Sequence, residues 1–295
     1  MEESNQVVIV GGTHGNERTG IQLVRRLRAN PSEMERSSFK ARNLLANEEA
    51  ILRNSRYLEQ DLNRCFTHSI LNNEPENVEQ ERAHIINKHF GPKGDNTSTD
   101  WIIDLHTTTS NMGVTLIVLQ QDPMALDMAL YIQQQMPGAS IFCQAPHSED
   151  DPFLCSVARH GFQIEVGPVA QGLLRWDVFE LTQQALKHAL DFIDLHNRNQ
   201  LNFSSPREAD VFEFIEKIHL PRNENGGVIG MIHPELQDKD YHQLSPGDPI
   251  FILDTGETIL FEYPEPVYVA FVNEAAYYDQ SHAVSLMRKR KLSWE

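Results

Sequence analysis

The sequence predicts an α/β sheet covered by helices, followed by a smaller β-rich module. Three observations predict it. Over the first two-thirds of the 295 residues, short β-branched runs alternate with longer segments of helical periodicity, the pattern of a layered α/β domain. Composition then shifts at Asn202-Phe-Ser-Ser-Pro206. Beyond that point, apolar runs are separated by Asn225-Gly-Gly227, Ser245-Pro-Gly-Asp-Pro249 and Asp254-Thr-Gly-Glu257, turn-forming stretches that read as strand and hairpin punctuation. On this reading the chain divides into residues 1–205 and 206–295.

Taken in order, residues 7–10 form an apolar run that leads through Gly11-Gly12 into a helical segment at 17–27, where Ile21, Val24 and Leu27 recur at helical spacing. Further buried strands are expected around Ile102-Ile103, flanked by Trp101 and Leu105, and at 114–119, 141–142 and 162–166. Continuous apolar runs of this kind suit strands covered on both faces. Helices are expected at 124–135 and 181–195. In the second module, 251–253 and 258–261 flank Asp254-Thr-Gly-Glu257 as a hairpin. There is no repeat period and no low-complexity tract.

Composition excludes several classes of function. With 40% hydrophobic residues the chain can build a sizeable core, and its formal charge of −17 disfavours a broad nucleic-acid interface or an anionic membrane surface as partner. An anionic substrate would have to be attracted by a local basic cluster. No run approaches a membrane span. Cys65, Cys143 and Cys155 include no C-x-x-C pair, and the odd count argues against a disulfide framework, which fits a reducing cytoplasm. The first residues lack the basic and long apolar regions of a signal peptide. Arg288-Lys-Arg-Lys291 reads as a solvated chain end.

Three segments carry chemistry. His14-Gly-Asn-Glu17 follows the first apolar run, Asp104-Leu-His106 ends the second, and Glu165-Val-Gly ends another. In open α/β sheets the carboxyl ends of the strands form the binding crevice, so the three need only lie on neighbouring strands to share a site. His14, Glu17 and His106 then make a two-histidine, one-carboxylate set suited to zinc, although such ligands also take cobalt or manganese. Glu165 is left over as a base. Asp104 projects to the same face as His106 if the strand is extended, close enough to serve as an acceptor behind the imidazole. Surface or hydrogen-bonding roles are expected for His68, His84, His147, His233 and His242.

Arg56 and the Asn63-Arg64 pair lie within nine residues of an otherwise acidic chain. Their donors match a carboxylate, and beside a hydrolytic metal they would hold a substrate carboxylate and a developing oxyanion. The alternative is a surface loop paired to Glu59 and Asp61.

His14-Gly-Asn-Glu17, Arg56, Asp61-Leu-Asn63-Arg64, Asp104-Leu-His106-Thr-Thr, Ile164-Glu165-Val-Gly-Pro168 and Asn273-Glu-Ala-Ala-Tyr277-Tyr278 together resemble the aspartoacylase group. This is the aspartoacylase and succinylglutamate desuccinylase branch of the zinc-carboxypeptidase-like enzymes, and the motifs run from residue 8 to about 280. The resemblance implies a zinc-carboxypeptidase-like mixed sheet covered by helices, with a smaller β-rich C-terminal domain at the active-site entrance. It implies one zinc ion per subunit on His14, Glu17 and His106, with Glu165 as catalytic base and acid. Arg56 would polarise the scissile carbonyl, Asn63 and Arg64 would hold the carboxylate of the amino-acid part, and Tyr277 would contact substrate from the second domain. The implied reaction is hydrolysis of an N-acyl amino acid, such as N-acetyl-L-aspartate, by a cytoplasmic amidohydrolase. A homodimer is the base-rate assembly.

The match departs at two positions. Aspartoacylase grips the side-chain carboxylate with an arginine ten residues before the catalytic glutamate and a lysine four after the first C-terminal tyrosine, where this chain has Cys155 and Ser281. Either Arg159 or Arg175 compensates, or the pocket takes aromatic or neutral N-acyl amino acids, as the aminoacylase branch does. A carboxypeptidase-type peptidase and a metal-binding protein without activity are the competing classes.

Overall fold

A ten-stranded mixed sheet positions the site. The computed structural model describes residues 5–119, 122–144, 150–203 and 206–295; the expected boundary near residue 205 and His147 lie outside them. In chain order the elements are β1 (Gln6–Gly11), α1 (Arg18–Ala29), β2 (Lys40–Leu45), α2 (Glu48–Arg53), α3 (His68–Leu71), α4 (Val78–Phe90), β3 (Trp101–Thr107), β4 (Gly113–Val118), α5 (Pro123–Gln135), β5 (Ser140–Cys143), β6 (His160–Gly167) and α6 (Trp176–Asn197). There follow β7 (Arg207–His219), β8 (Gly230–Ile232), β9 (Gln243–Leu244), β10 (Pro249–Leu253), β11 (Thr258–Leu260), β12 (Val267–Ala270) and β13 (His282–Trp294).

The strand order is β2-β1-β3-β6-β4-β5-β7-β13-β12-β9. The β2, β1, β3 and β6 strands run parallel, whereas β4 is antiparallel to β6. Alternate residues of β1 enter opposite cores: Val7 and Ile9 pack with apolar residues of α1, α5 and α6, and Val8 and Val10 with Ala83, Ile86 and Phe90 of α4. Period-two alternation into two apolar layers is what a sheet covered on both faces requires. The fold class expected from the sequence is therefore observed, including the 251–253 and 258–261 hairpin, which forms β10 and β11 and is completed by β8 as a separate three-stranded sheet.

The C-terminal lobe is sewn onto the same sheet. β7 pairs in parallel with β5 and in antiparallel with β13 along its length, so backbone hydrogen bonds tie the lobe to the sheet that contains β1, β3 and β6. An apolar seam of Ile117, Phe142, Phe212, Ala270, Phe271 and Met287 fills the junction.

Arg288-Lys-Arg-Lys291 is solvent-exposed, as expected, and forms part of β13, where each cation has a carboxylate partner: Arg288 with Glu265 at 3.1 Å, Lys289 with Asp210 at 3.2 Å, Arg290 with Glu213 at 3.1 Å, and Lys291 with Glu208. For the last three, opposite charges across the β7–β13 ladder favour its register. No helix among the described residues is long and apolar enough to cross a membrane.

Candidate active site at three strand ends

The strands β1, β3 and β6 are neighbours, and their carboxyl ends carry the chemistry. His106 on β3 is the register partner of Glu165 on β6, and Gly11 at the end of β1 pairs with Leu105. Beyond Gly11 the chain turns at Gly12, whose φ of +73° suits glycine. Helix α1 then comes back very close to the sheet. A Cβ on Gly11 would lie 2.4 Å from the Gly20 carbonyl oxygen, and one on Gly20 would lie 2.7 Å from that of Leu105, so glycine at both positions lets the helix start over the strand ends. In the intervening turn the Glu17 amide donates to the His14 carbonyl at 3.2 Å, which brings the two side chains together.

His14, Glu17 and His106 are buried, and their ligand atoms all lie within 4.8 Å of one another. The Glu17 carboxylate lies between the two imidazoles, 2.6 Å from His14 Nδ1 and 3.0 Å from His106 Nδ1. Behind each ring stands a second carboxylate: Asp61 hydrogen-bonds His14 Nε2 at 2.9 Å, and Asp104 Oδ2 lies 3.0 Å from His106 Nε2. A carboxylate hydrogen-bonded at Nε2, as Asp61 is on His14, holds the proton there and leaves the Nδ1 lone pair for a metal; at His106 the carboxylate is close but makes no hydrogen bond to Nε2. The donor set thus fits a metal ion, as does the position of Asp104 expected from strand geometry. Thr13 in turn donates to Asp104 at 2.8 Å.

Burial pushes the Glu165 carboxyl well above the usual carboxylate range, and the nearby charge of Glu17 adds to this. Its Oε1 is buried and has no hydrogen-bond partner. An orphaned carboxylate oxygen is costly in a core, but it is the acceptor a reacting water requires. Burial alone would raise Glu17 as well, yet His14 and His106 hold its carboxyl well below the ordinary value. Two carboxyls in one cavity are thereby set to different protonation tendencies, a mark of functional sites.

The arginine segment is not a surface loop. Arg56 donates to Asp61 from Nε and Nη2, at 3.3 and 3.0 Å, and to Glu17 from Nη1 at 3.3 Å. The loop's backbone is held by Glu79, which is 1% exposed and accepts the amides of Leu58, Glu59 and Gln60 at 2.7–3.2 Å. Asn63 Oδ1 accepts from the Leu154 amide at 2.8 Å. Arg64 lies over the Phe153 ring, 5.2 Å from its centroid, and has no ion-pair partner among the described residues.

From the other lobe, Tyr277 sits on the 3-10 turn Ala275–Gln280 and stacks on His282 with ring centroids 4.8 Å apart. The turn is docked by Glu274. This buried carboxylate accepts from Thr109 N at 2.8 Å, Ser110 N at 3.2 Å and the Thr108 hydroxyl on the loop after His106, and from Ala276 N at 3.0 Å on its own side. All eight residues singled out from the sequence, His14, Glu17, Arg56, Asn63, Arg64, His106, Glu165 and Tyr277, line one cavity of about 150 Å³. Sequence reasoning gave no site role to Asp61, Glu79, Glu274, Lys217 or His282.

Neither arginine offered as a substitute clamp reaches the cavity. Arg159 points to Asp100 at 3.9 Å, and Arg175 is held by Asp177 and by the Pro168 carbonyl at 3.0 Å. Cys155 is fully buried in the core, where its sulfur accepts from Gln163 Nε2 at 3.4 Å, and Ser281 is bonded by Arg222.

Residues 3–193 match the family model of the succinylglutamate desuccinylase/aspartoacylase catalytic domain, and residues 207–289 match the AstE/AspA barrel-sandwich hybrid domain. The chain belongs to the succinylglutamate desuccinylase/aspartoacylase family. Within it, this chain is 40% identical to a probable aspartoacylase of Trichodesmium erythraeum over 99% of both chains. It is 42% identical to an N-acyl-aromatic-L-amino acid amidohydrolase (carboxylate-forming) of Xenopus tropicalis, covering 95% of this chain and 91% of that one. The crystal structure of murine aminoacylase 3 superposes with a TM-score of 0.95 at 37% identity, covering 99% of this chain and 98% of the other.

A pH prediction follows from His282, which is 2% exposed. Burial, and then Lys217, push its pKa from 6.5 down to about 4. Between those values the unfolded chain binds more protons, so this contribution to stability is full above pH 6.5 and is lost as pH falls through about 4. Urea titrations across that window are expected to show a smaller loss for His282→Gln than for the parent protein; equal losses would remove His282 as the cause.

Proposed function

We propose that the protein hydrolyses the amide of N-acyl amino acids, releasing a carboxylate and a free amino acid, and that it favours aromatic or neutral side chains. The observation that carries this is the convergence on one cavity of a metal-donor triad, a buried carboxylate whose Oε1 has no hydrogen-bond partner, and Arg64, which has no ion-pair partner among the described residues. His14, Glu17 and His106 would hold one zinc ion, whose chemistry there is to polarise the acyl carbonyl and lower the pKa of water towards neutrality.

Glu165 takes the proton of the attacking water and returns it to the departing nitrogen. Arg56, oriented by Asp61, donates to the carbonyl oxygen as negative charge develops. Asn63 uses its Oδ1 on the Leu154 amide, which leaves the donors of its NH₂ to join Arg64 on the substrate's α-carboxylate. Tyr277 closes the opposite side. Phe142, Phe214 and Phe271 also line the cavity, offering apolar surface to a side chain. With Cys155 and Ser281 outside the cavity, the two cations expected of aspartoacylase are missing.

The test is amine release from N-acetyl-phenylalanine and N-acetyl-aspartate, with zinc-loaded and chelated protein. Turnover should disappear on chelation, return with zinc, and show the higher kcat/KM for the aromatic compound. Metal-independent turnover, or cleavage of peptides in preference to both, would overturn the reading.

A further inference from the structure

Gln163 stands on β6 two residues before Glu165, so the two side chains share one face of the sheet, with Gln163 about 7 Å further from the strand end. Its register partners are Asp104 on β3 and Ile117 on β4, and Ile117 in turn faces Phe142 on β5. Gln163, Ile117 and Phe142 line the same cavity as the metal donors. Gln163 is 5% exposed, so a primary amide is set into the wall of the site beside two apolar side chains.

That amide is poorly satisfied. A glutamine side chain offers two donors and an acceptor oxygen with two lone pairs. Here Nε2 donates to Cys155 Sγ at 3.4 Å, a weak acceptor, and Oε1 has no hydrogen-bond partner among the described residues. The surroundings of Gln163 say which half of a substrate it meets. Asn63 Oδ1 accepts from the Leu154 amide at 2.8 Å, and Cys155, the next residue on the same 3-10 turn, Leu154–Val157, is the one that Gln163 touches. Gln163 is therefore tied to the turn that also holds Asn63, one of the two residues assigned to the α-carboxylate. In an amino acid the side chain leaves the carbon that bears this carboxylate. Gln163 thus meets the amino-acid side chain and not the acyl group.

We infer that Gln163 sets the side-chain specificity of the site, selecting N-acyl amino acids whose side chain ends in a neutral hydrogen-bond donor, a hydroxyl or a carboxamide. This rests on the deacylase reading above and narrows it. With Nε2 on the Cys155 sulfur, Oε1 is the atom offered to the substrate, and it only accepts. A hydroxyl or a carboxamide NH₂ donates to it. An apolar end leaves it unpaired in a nearly closed site, and a carboxylate sets acceptor against acceptor. A site built to bond a donor discriminates against the analogue that lacks one.

The experiment compares kcat and KM of the zinc-loaded full chain, of Q163M and of Q163L on two matched pairs: N-acetyl-tyrosine with N-acetyl-phenylalanine, and N-acetyl-glutamine with N-acetyl-methionine. Within each pair the compounds differ in the polar end and little in shape. A neutral hydrogen bond predicts that the parent favours the donor-bearing member of at least one pair by about 3–10-fold in kcat/KM, and that both variants bring that ratio to one or below. General damage to the fold lowers both members of a pair together and leaves their ratio unchanged, so the ratio reads the amide itself. The pair that responds identifies hydroxyl or carboxamide as the partner. A parent ratio near one in both pairs, or a preference that survives in the variants, overturns the proposal. Should the parent turn over none of the four, the deacylase reading fails by itself. Calorimetry with the same compounds then reads the pocket: tighter binding of a donor-bearing member that is lost in Q163M supports the assignment, and equal binding of both members by the parent overturns it.

Discussion

Replacing Glu165 by Gln is expected to leave the metal bound and to cut kcat by about 10²–10⁴-fold, the usual contribution of a positioned general base. The substitution keeps side-chain volume and one carbonyl-type oxygen, so the backbone pairing of β6 with β3 and β4 and the His106–Glu165 register are undisturbed. What it removes is the ability to accept a proton. Because the proposed α-carboxylate donors, Asn63 and Arg64, come from a different loop, KM for N-acetyl-phenylalanine should change little while kcat falls, which is the signature of an interaction made in the transition state. Steady-state kinetics together with the zinc content of the purified variant check both halves. A variant with bound zinc and full turnover would remove Glu165 as the base; one that loses zinc would mean that Glu165 helps hold the donor set.

The parts of this site that could be read from the sequence are those announced locally. Residues 7–10 and 102–103 are apolar runs that lead to His14 and His106, Glu165 lies near the end of the strand signal 162–166, and strand polarity in a parallel sheet delivers such ends to one crevice. Asp104 followed from period-two geometry alone. What remained hidden is set by partners distant in the chain. Glu274 acts through Thr108, 166 residues away, and Asp61 acts through His14, 47 residues away. The ion pairs of the basic run on β13 are not legible because their carboxylates lie far off in the sequence, Glu208, Asp210 and Glu213 on β7 and Glu265 just before β12. β2 was missed for a related reason: it is an edge strand with mixed exposure, so it lacks the continuous apolar run of its buried neighbours.

Replacing Glu274 by Ala is expected to damage both stability and turnover, in a way that separates it from a metal ligand. Its carboxylate is 3% exposed and serves donors on two elements, the loop after His106 and the turn that carries Tyr277. Truncation leaves the amides of Thr109, Ser110 and Ala276 without an acceptor. An unsatisfied buried donor costs about 1–3 kcal/mol, and water entering the space left behind offsets part of the sum, so a loss of about 3 kcal/mol is expected. In a chain of this size that corresponds to a fall in Tm of roughly 5–10 °C. The functional loss should be larger than the stability loss accounts for. Glu274 fixes where Tyr277 stands relative to Glu165 and Arg56, and a misplacement of about 1 Å in such a constellation costs on the order of 100-fold in rate. Zinc content should stay near that of the parent, because none of the three donors depends on Glu274. Glu274→Gln, which retains one acceptor oxygen, should fall between the two. Thermal melts and kinetics at a temperature where the variant is fully folded distinguish the cases: a normal melt with normal turnover would mean that the two lobes hold their alignment through the β5–β7 pairing alone, and loss of zinc would mean that the strand end bearing His106 moves with the loop.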